Sequence, residues 1–344
     1  MSFPSTIQAL SFGKTGGVEV MEKITIPFPK QSADSIIVKM NWAGVNTIDT
    51  YFRKGLYPVK EFPVISGMEA SGTIVSLPTD DAVLNDPRYK ERDFKIGTKV
   101  TLYSLGSHAE YASVVWHKVF PLPDGVSLKT AAAALLQGLT AITQMTEAYN
   151  VQKGDVLLIH TVAGGLGLLF TQYAKARGAT IIGTTSTEEK ATLAKSFGAD
   201  HVILYPKENT VERVLEITKG EGVHAVFDGV GKDTFMDNFK LVRRKGTLIN
   251  VGNASGPVEP IPPLKLVDKN LKLVRPSMAN YIVTPEESQQ YSQELFRELA
   301  SGRLKVKIHD IYPFSTEGVR QAQTDLTTPG GKVAGKLLIK IADE

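Results

Sequence analysis

The chain has 344 residues, 42% of them hydrophobic, and its 39 Lys and Arg against 36 Asp and Glu leave a net charge of +3. This composition is typical of a folded globular protein with two domains, and so small a charge argues against a nucleic-acid-binding surface. The absence of cysteine excludes disulfides, thiolate nucleophiles and cysteine-ligated zinc.

The sequence also lacks the patterns of membrane and metal proteins. No window approaches the ~18 uninterrupted apolar residues of a membrane helix. The opening MSFPSTIQALSFGKTGGVEV has neither the basic start nor the apolar core of a signal peptide. We therefore expect a cytosolic protein, with the nucleus as a second compartment. The six histidines form no His-x-x-x-His pair, so no metal site is expected.

The first 130 residues predict an irregular antiparallel domain. Segments such as SIIVKMNWAGV and ASGTIVSL cluster β-branched residues between Gly and Pro breaks, as strands do. Between them and the next domain, Pro78 to Phe94 is charged, contains two prolines and shows no apolar period. That stretch predicts an exposed loop.

From about Ala131 the chain alternates between strand and helix patterns. VLLIH, ATIIGTT, DHVILY, VHAVFDGVG and TLINVGN read as strands, and TFMDNFKLVRRKG is among the helices between them. Strict alternation with strands that are apolar throughout indicates a parallel sheet covered on both faces. The expected fold class is α/β, with a mainly-β domain and a doubly wound Rossmann domain.

The C-terminal segment changes pattern once more. Thr284, Pro285 and Glu287 form a capping box at the start of a helix. A helix and strands that follow a doubly wound unit often return to the first domain. We therefore expect a discontinuous domain of residues 1–130 and 281–344 around a nucleotide-binding domain of residues 131–280.

The stretch HTVAGGLG, residues 160–167, predicts a dinucleotide-binding turn. It supplies the second and third glycines of the Gly-x-Gly-x-x-Gly fingerprint as Gly164 and Gly167, while Val162 stands in place of the first. The second glycine lets the backbone approach a pyrophosphate, and the third allows the helix to pack on the strand. The N–H groups near Gly165 and Leu166 then face the anion.

The second strand indicates which dinucleotide binds. An NAD enzyme typically ends this strand with an acid that binds the ribose 2′-OH. Here Thr185 and Ser186 stand at the tip, and Lys190 follows where it can meet a 2′-phosphate. The sequence thus favours NADPH, although Ser186 and Glu189 also have the spacing of an ordinary capping box.

Several segments together resemble the zeta-crystallin-like quinone oxidoreductases of the medium-chain dehydrogenase/reductase superfamily, and the fungal members most. They are GVNTIDTYFRKGLYP, PVISGMEASGTIV, VAGGLG, GKDTF and NVGNASG. The likeness implies a GroES-like catalytic domain beside the Rossmann domain. Zinc-dependent relatives have Cys where this chain has Asn46 and Gly-His-Glu where it has Gly67-Met68-Glu69. The resemblance therefore implies a zinc-free reductase that uses NADPH on quinones or conjugated carbonyls.

The same resemblance implies roles for individual residues. Those near the nicotinamide and the substrate are Asn46, Asp49, Tyr51, Tyr57 and Asn253. Those at the pyrophosphate are Gly164, Gly165 and Leu166, and those at the other phosphate are Lys190, Tyr205 and Lys332. Gly167, Thr185 and Ser186 complete the expected cofactor-binding set from the sequence pattern itself.

Structural roles remain open for many of these residues and their neighbours. Asn46 and Asp49 are types that satisfy turn backbone, and Tyr57 has the character of a rim aromatic. Arg53 and Lys54 are expected on a solvated rim. Glu69 is expected to be structural, and Asp228 with Gly229 to shape the cofactor cleft.

Two other functions remain open at this stage. The first is an enoyl thioester (enoyl-CoA) reductase of the same fold, with Tyr57 as the acid. The second is an AU-rich RNA-binding protein, for which the sequence lacks the interleaved aromatic and basic residues of single-strand platforms. The resemblance also implies a homodimer, with the sheet edge near residues 269–276 as the contact.

Overall fold

The computed structural model describes residues 3–344. The chain divides into two compact units, the first of residues 1–136 and 282–344 and the second of Gln137–Tyr281. The first unit is therefore discontinuous, and its first segment continues past residue 130, to Leu136. Within residues 3–344, no helix is long and apolar enough to cross a membrane.

The first unit contains most of the antiparallel structure. Its elements are β1 Thr6–Phe12, β2 Met21–Pro27, β3 Ser35–Val45, α1 Thr47–Arg53, β4 Val64–Ile65, β5 Glu69–Ser76, α2 Asp81–Asn85, α3 Pro87–Glu91, β6 Lys99–Tyr103, β7 Tyr111–Val115, β8 Val119–Pro121, the start of α4 Leu128–Thr143, and, after the second unit, α9 Pro285–Ala300, β15 Ile308–Pro313, α10 Thr316–Thr327 and β16 Lys336–Lys340. The strands form a three-stranded sheet, β2-β1-β4, and a seven-stranded sheet, β15-β16-β3-β5-β6-β8 with β7 on β3.

Strand β3 is the centre of the larger sheet. It pairs antiparallel with β5, β7 and β16, and all but one of its residues are buried. Because β16 pairs with β3, the C-terminal strand lies beside residues near the start of the chain. Lys336, the first residue of β16, is thus brought near the end of β3.

The prediction of an exposed loop from Pro78 to Phe94 was wrong. The segment forms α2 and α3, and Val83, Tyr89 and Phe94 join the core of the larger sheet. The side chains of Asp80 and Asp86 cap the two helices. These helices are only five residues long, so they are too short to show an apolar period.

The second unit is built around a six-stranded parallel sheet. Its strands and helices are β9 Val156–Ile159, α5 Gly165–Ala176, β10 Thr180–Thr185, α6 Glu188–Ser196, β11 His201–Leu204, α7 Thr210–Ile217, β12 Val223–Asp228, α8 Phe235–Leu241, β13 Val242–Asn250 and β14 Lys272–Val274. The order β11-β10-β9-β12-β13-β14 confirms the doubly wound architecture. All the carboxyl ends of the strands therefore meet at one edge, where such sheets bind ligands.

Two local predictions have different outcomes. The capping box of α9 is confirmed, because Thr284 and Glu287 each accept the other's backbone N–H. The predicted helix from Thr234 to Gly246 is too long. Helix α8 ends at Leu241, and Val242 already begins β13 because it pairs with Val223 of β12.

Candidate active site

The glycine loop joins β9 to α5 at the carboxyl edge of the parallel sheet. Thr161 has φ 56°, a left-handed conformation that is unfavourable for a β-branched residue and that clusters at functional sites. Gly164 is the N-cap of α5 and has no side chain to cap it. The first N–H groups of a helix have no acceptor within the helix, so this turn presents donors to a ligand.

Close packing explains why the loop needs glycine at position 167 and how it tolerates Val162 in the first glycine position of the fingerprint. A Cβ on Gly167 would overlap the carbonyl oxygen of Thr161. Val162, in the first glycine position, is fully buried, and a Cβ on Gly183 of β10 would lie 2.6 Å from its side chain. The valine is thus accommodated by a glycine on the neighbouring strand.

A buried network of polar side chains lies beneath this loop. His160 contacts Thr184 Oγ1 at 3.0 Å through Nδ1 and Asn238 Oδ1 at 2.9 Å through Nε2. Asn238 in turn donates to Asp228 Oδ2 at 2.8 Å. Sequence reasoning missed His160 and Asn238, although a histidine directly after an apolar strand was a usable signal.

Asp228 is the last residue of β12, and Gly229 follows it directly. Asp228 is fully buried and accepts the N–H groups of Val230 and Gly231. The loop that carries Asn253 lies beside this turn, because Ala254 donates its N–H to the Gly229 carbonyl. The structure therefore brings Asn253 to the same edge as the glycine loop.

The predicted phosphate residues converge at the ends of β10 and β11. Thr185 pairs with Leu204, so that Ser186 and Tyr205 follow neighbouring strand ends. Lys190 Nζ lies 3.4 Å from Ser186 Oγ, and burial lowers the pKa of this lysine. The predicted capping box of Ser186 and Glu189 was wrong by one residue, because Thr187 is the N-cap of α6 and accepts the N–H of Lys190.

In the first unit, Asn46 belongs to a buried ionic cluster. The Nζ atom of Lys336 lies 2.6 Å from Asn46 Oδ1 and 2.5 Å from Glu69 Oε1. Asn46 Nδ2 donates to Glu69 Oε1 at 2.8 Å, and the N–H of Leu136 donates to Glu69 Oε2 at 2.7 Å. Glu69 is 0% exposed and Lys336 1%. We call Asn46, Glu69 and Lys336 the ammonium cluster.

Asp49 and His108 are buried beside this cluster, and burial shifts the pKa of each side chain. Asp49 Oδ2 accepts the N–H of Asn46 at 2.8 Å, while Oδ1 is buried without a hydrogen-bond partner. Desolvation raises the pKa of Asp49 to about 7. Desolvation lowers the pKa of His108 to about 4, with the charge of Lys336 acting in the same direction. Burial therefore shifts both side chains towards the neutral form relative to an exposed carboxyl or imidazole.

The other predicted residues of the first unit have different surroundings. Tyr51 is buried and packs edge-on against the half-buried Tyr57, with 5.3 Å between ring centroids. Lys332 is exposed in the loop before β16. The prediction that Arg53 lies on a solvated rim was wrong, whereas Lys54 is exposed. Arg53 is 1% exposed, and its guanidinium donates at 2.6 Å to Gln323 Oε1 and at 2.6 Å to the Gly16 carbonyl.

Sequence reasoning also missed Lys336 as a member of the site. The residue lies 290 positions from Asn46, in an ordinary C-terminal strand pattern, so no local signal marked it. The only signal in the sequence was the isolated acid Glu69, which needs a cation if it is buried.

Fold and site together define an oxidoreductase of the dehydrogenase type, in which a GroES-like unit accompanies a nucleotide-binding unit. Residues 32–124 match the alcohol dehydrogenase GroES-like domain, and residues 165–299 match the zinc-binding dehydrogenase domain. A probable quinone oxidoreductase of Schizosaccharomyces pombe is 39% identical over 88% of both chains, and the quinone oxidoreductase of Salmonella typhimurium is 37% identical over 91% of this chain and 94% of that protein.

A solved structure extends the likeness to the fold. The Escherichia coli quinone oxidoreductase complexed with NADPH is 34% identical, with a TM-score of 0.90 over 97% of this chain and 100% of that chain. The chain belongs to the quinone oxidoreductase family of the medium-chain dehydrogenase/reductase superfamily.

The name of the zinc-binding dehydrogenase domain implies a zinc ion. The residues of the ammonium cluster do not fit such an ion. Zinc is bound by thiolates, imidazoles and carboxylates. In residues 3–344, no group of three or more such side chains is placed to hold a metal. Glu69 and Asn46 are already in contact with a cation, the ammonium of Lys336.

Proposed function

We propose that this chain is an NADPH-dependent quinone oxidoreductase that passes hydride to quinones or conjugated carbonyls without a metal ion. The observation that carries the choice of NADPH is the end of β10. Ser186 and Lys190 lie together there, and no carboxylate stands at the strand tip to bind a ribose 2′-OH or repel a 2′-phosphate. The names of the relatives support the acceptor class.

The fit of NADPH to the second unit rests on the glycine turn. The space beside Gly167 is closed to a side chain, and the uncapped first turn of α5 offers N–H donors to an anion. We propose that the pyrophosphate is held by this turn and that the adenosine phosphate is held at the ends of β10 and β11. The residues assigned to these two tasks are Gly164, Gly165, Leu166, Gly167, Thr185, Ser186, Lys190 and Tyr205. Asn253 is assigned to the nicotinamide. From the resemblance, we also propose a phosphate contact for Lys332, an exposed residue of the first unit.

The first unit supplies groups for the acceptor. Bound NADPH supplies hydride. A quinone accepts it without a Lewis acid because the charge that develops spreads onto oxygen. We propose that Asn46, Tyr51 and Tyr57 orient the acceptor and shield it from water. Asp49, whose burial raises its pKa to about 7, exchanges between its protonated and ionised forms near neutral pH.

Steady-state kinetics with purified protein test this proposal. We expect NADPH oxidation with an ortho- or para-quinone, retained in full after dialysis against a chelator that removes zinc. A matched sample with added zinc should show no gain. Loss of turnover on chelation, or no turnover with any quinone, would overturn the proposal.

An enoyl thioester is the alternative acceptor, and Tyr57 is the group that separates the two. Its ring packs edge-on against Tyr51 and Phe52, which holds it in place. If an enoyl-CoA is the substrate and Tyr57 its acid, Tyr57→Phe will abolish turnover of enoyl-CoA. For a quinone reductase we expect the variant to keep most of its activity with quinones and the wild type to reduce enoyl-CoA poorly.

A second copy of this chain is the partner that we propose. Among residues 3–344, strand β14 is an edge of the six-stranded sheet and pairs with β13 alone, so its outer side can add another strand. Sedimentation equilibrium would report the stoichiometry, and a monomer would contradict this. We propose a cytosolic location, with the nucleus as the second compartment. RNA binding has no supporting feature, and a gel shift at low salt would test it.

A further inference from the structure

The ammonium cluster combines full burial with full ionic pairing. A carboxylate taken out of water requires a partner charge and hydrogen bonds to its oxygens. Glu69 obtains these from Lys336, from Asn46 Nδ2 and from the N–H of Leu136. A Cβ on Gly44 would overlap Glu69 Oε1, so the strand leaves just enough space for the carboxylate. The site is therefore closely built around one carboxylate and one ammonium.

The two charges fix the direction of the Asn46 amide. An ammonium only donates hydrogen bonds and a carboxylate only accepts them. Because Lys336 faces Oδ1 and Glu69 faces Nδ2, turning the amide over would set donor against donor and acceptor against acceptor. Asn46 is also the N-cap of α1, and its N–H is bonded to Asp49. The amide direction and the first turn of α1 thus depend on Lys336.

We propose that Lys336 is a positioning residue for quinone reduction. Its ammonium is the cation that Glu69 and Asn46 contact, and with Glu69 it sets the orientation of Asn46 and of the α1 turn that carries Asp49 and Tyr51. This inference rests on the proposed function for its kinetic consequence. Its structural part, the orientation of Asn46, is independent of that function.

A charge-neutral double variant separates positioning from mere charge compensation. Lys336→Met leaves the Glu69 carboxylate buried without its cation. In Lys336→Met/Glu69→Gln both charges are gone, and the oxygen of the new side-chain amide still accepts from the N–H of Leu136. The NH2 group of that amide then points at Asn46, whose own amide must turn over to accept from it. The hydrogen bond between the side chains at positions 69 and 46 is kept while the direction of Asn46 is reversed, and Asn46 Nδ2 then faces the apolar side chain at position 336.

The two roles predict different activity for the double variant. We expect Lys336→Met to lower both the melting temperature and kcat/KM for the quinone. The double variant should recover most of the melting temperature but stay roughly 10- to 100-fold below wild type in kcat/KM. That range is the one found when an outer partner that orients a metal ligand is removed. Lys340→Met is the matched control, since Lys340 lies on the same strand with an exposed side chain, and it should behave as wild type.

A spectroscopic readout does not depend on turnover. In protein labelled with 15N-asparagine, the Asn46 side-chain amide is identified by its absence from Asn46→Ala. Its resonance should move in Lys336→Met, which keeps the Glu69 carboxylate but removes the ammonium from Oδ1, and also in the double variant, where the amide is reversed. An unmoved resonance, or recovery of both stability and kcat/KM in the double variant, would overturn the proposal. If the wild type reduces no quinone, the proposed function fails, and the resonance still tests the role of Lys336.

Discussion

The glycine loop of the second unit and the ammonium cluster of the first are built in opposite ways. The loop is continuous in sequence, from His160 to Gly167, and it presents backbone N–H groups with glycine at the points of closest packing. The cluster is made of side chains whose residues lie up to 290 positions apart, and it depends on buried charge. Backbone sites demand particular residues locally, whereas side-chain sites demand partners that only the fold brings together.

The substitution that we expect to disturb the glycine loop most is Gly167→Ala, which adds one methyl group. Gly167→Ala places a Cβ against the Thr161 carbonyl, so the helix must move away from the strand and the donors at its start lose their alignment. We expect NADPH to bind roughly 100-fold more weakly, since displacements of about 1 Å have effects of that order. Fluorescence titration with NADPH measures the change.

Gly13→Ala is the control for that experiment. A Cβ at Gly13 meets nothing within 4 Å, and its backbone does not have a positive φ. The variant should bind NADPH as wild type does. Normal binding by Gly167→Ala would show that the loop does not hold the cofactor through close packing.

In residues 78–94, Arg92 is a second buried side chain of the first unit whose partners lie far away in the sequence. Its guanidinium donates to the carbonyls of His117 and Val119 and to Ser288 Oγ, and it lies over the ring of Trp116. Arg92→Met removes these hydrogen bonds of a buried guanidinium and its packing on Trp116, and we expect a loss of about 2 kcal/mol in the free energy of unfolding. Urea denaturation measures it.

Arg88 supplies the matched comparison within the same segment. Its side chain is 43% exposed, and its ion pair with Glu286 lies at the surface. Arg88→Met should change the free energy of unfolding by less than about 1 kcal/mol. Equal losses in the two variants would mean that the segment does not anchor the core through Arg92.

Asp49 tests the electrostatic character of the first unit. Its pKa is 3.8 when unfolded and about 7 when folded, so the native state holds the extra proton between these values. Stability therefore falls as pH rises from about 4 to 7, by roughly 1 kcal/mol per pH unit, and levels off above 7. Asp49→Asn should abolish this contribution, and urea denaturation at several pH values would show a flatter profile than wild type.

Two comparisons test whether Asp49 is the group that titrates. His108 contributes in the opposite direction, because its lowered pKa costs stability as pH falls from 6.5 towards 4. Subtracting the Asp49→Asn profile from the wild-type profile removes that contribution. Asp124→Asn, at an exposed position, should leave the wild-type profile unchanged. A wild-type slope in Asp49→Asn would place the titrating group elsewhere.

Sequence reasoning succeeded where one residue type is required locally. The parallel sheet, the turn at Gly164 and Gly167, and the capping box at Thr284 each follow from short patterns. It failed at Arg53, which looks like a surface residue until the fold places Gln323 beside it. It also missed Lys336, because pairing over hundreds of residues is set by strand order and leaves no periodic signal.

The smallest effect that we predict concerns Lys190, where the second unit uses a side-chain charge. Lys190→Met removes a half-buried cation beside Ser186, so NADPH should bind up to about five-fold more weakly while NADH is unaffected. Lys195→Met, in the same helix with an exposed side chain, is the control. Because most of the cofactor's binding is assigned to backbone donors, the ratio of NADPH to NADH affinity is the informative quantity. Equal weakening of both cofactors would show that Lys190 does not contact the 2′-phosphate. The preference for NADPH would then rest on the absence of a carboxylate at the end of β10.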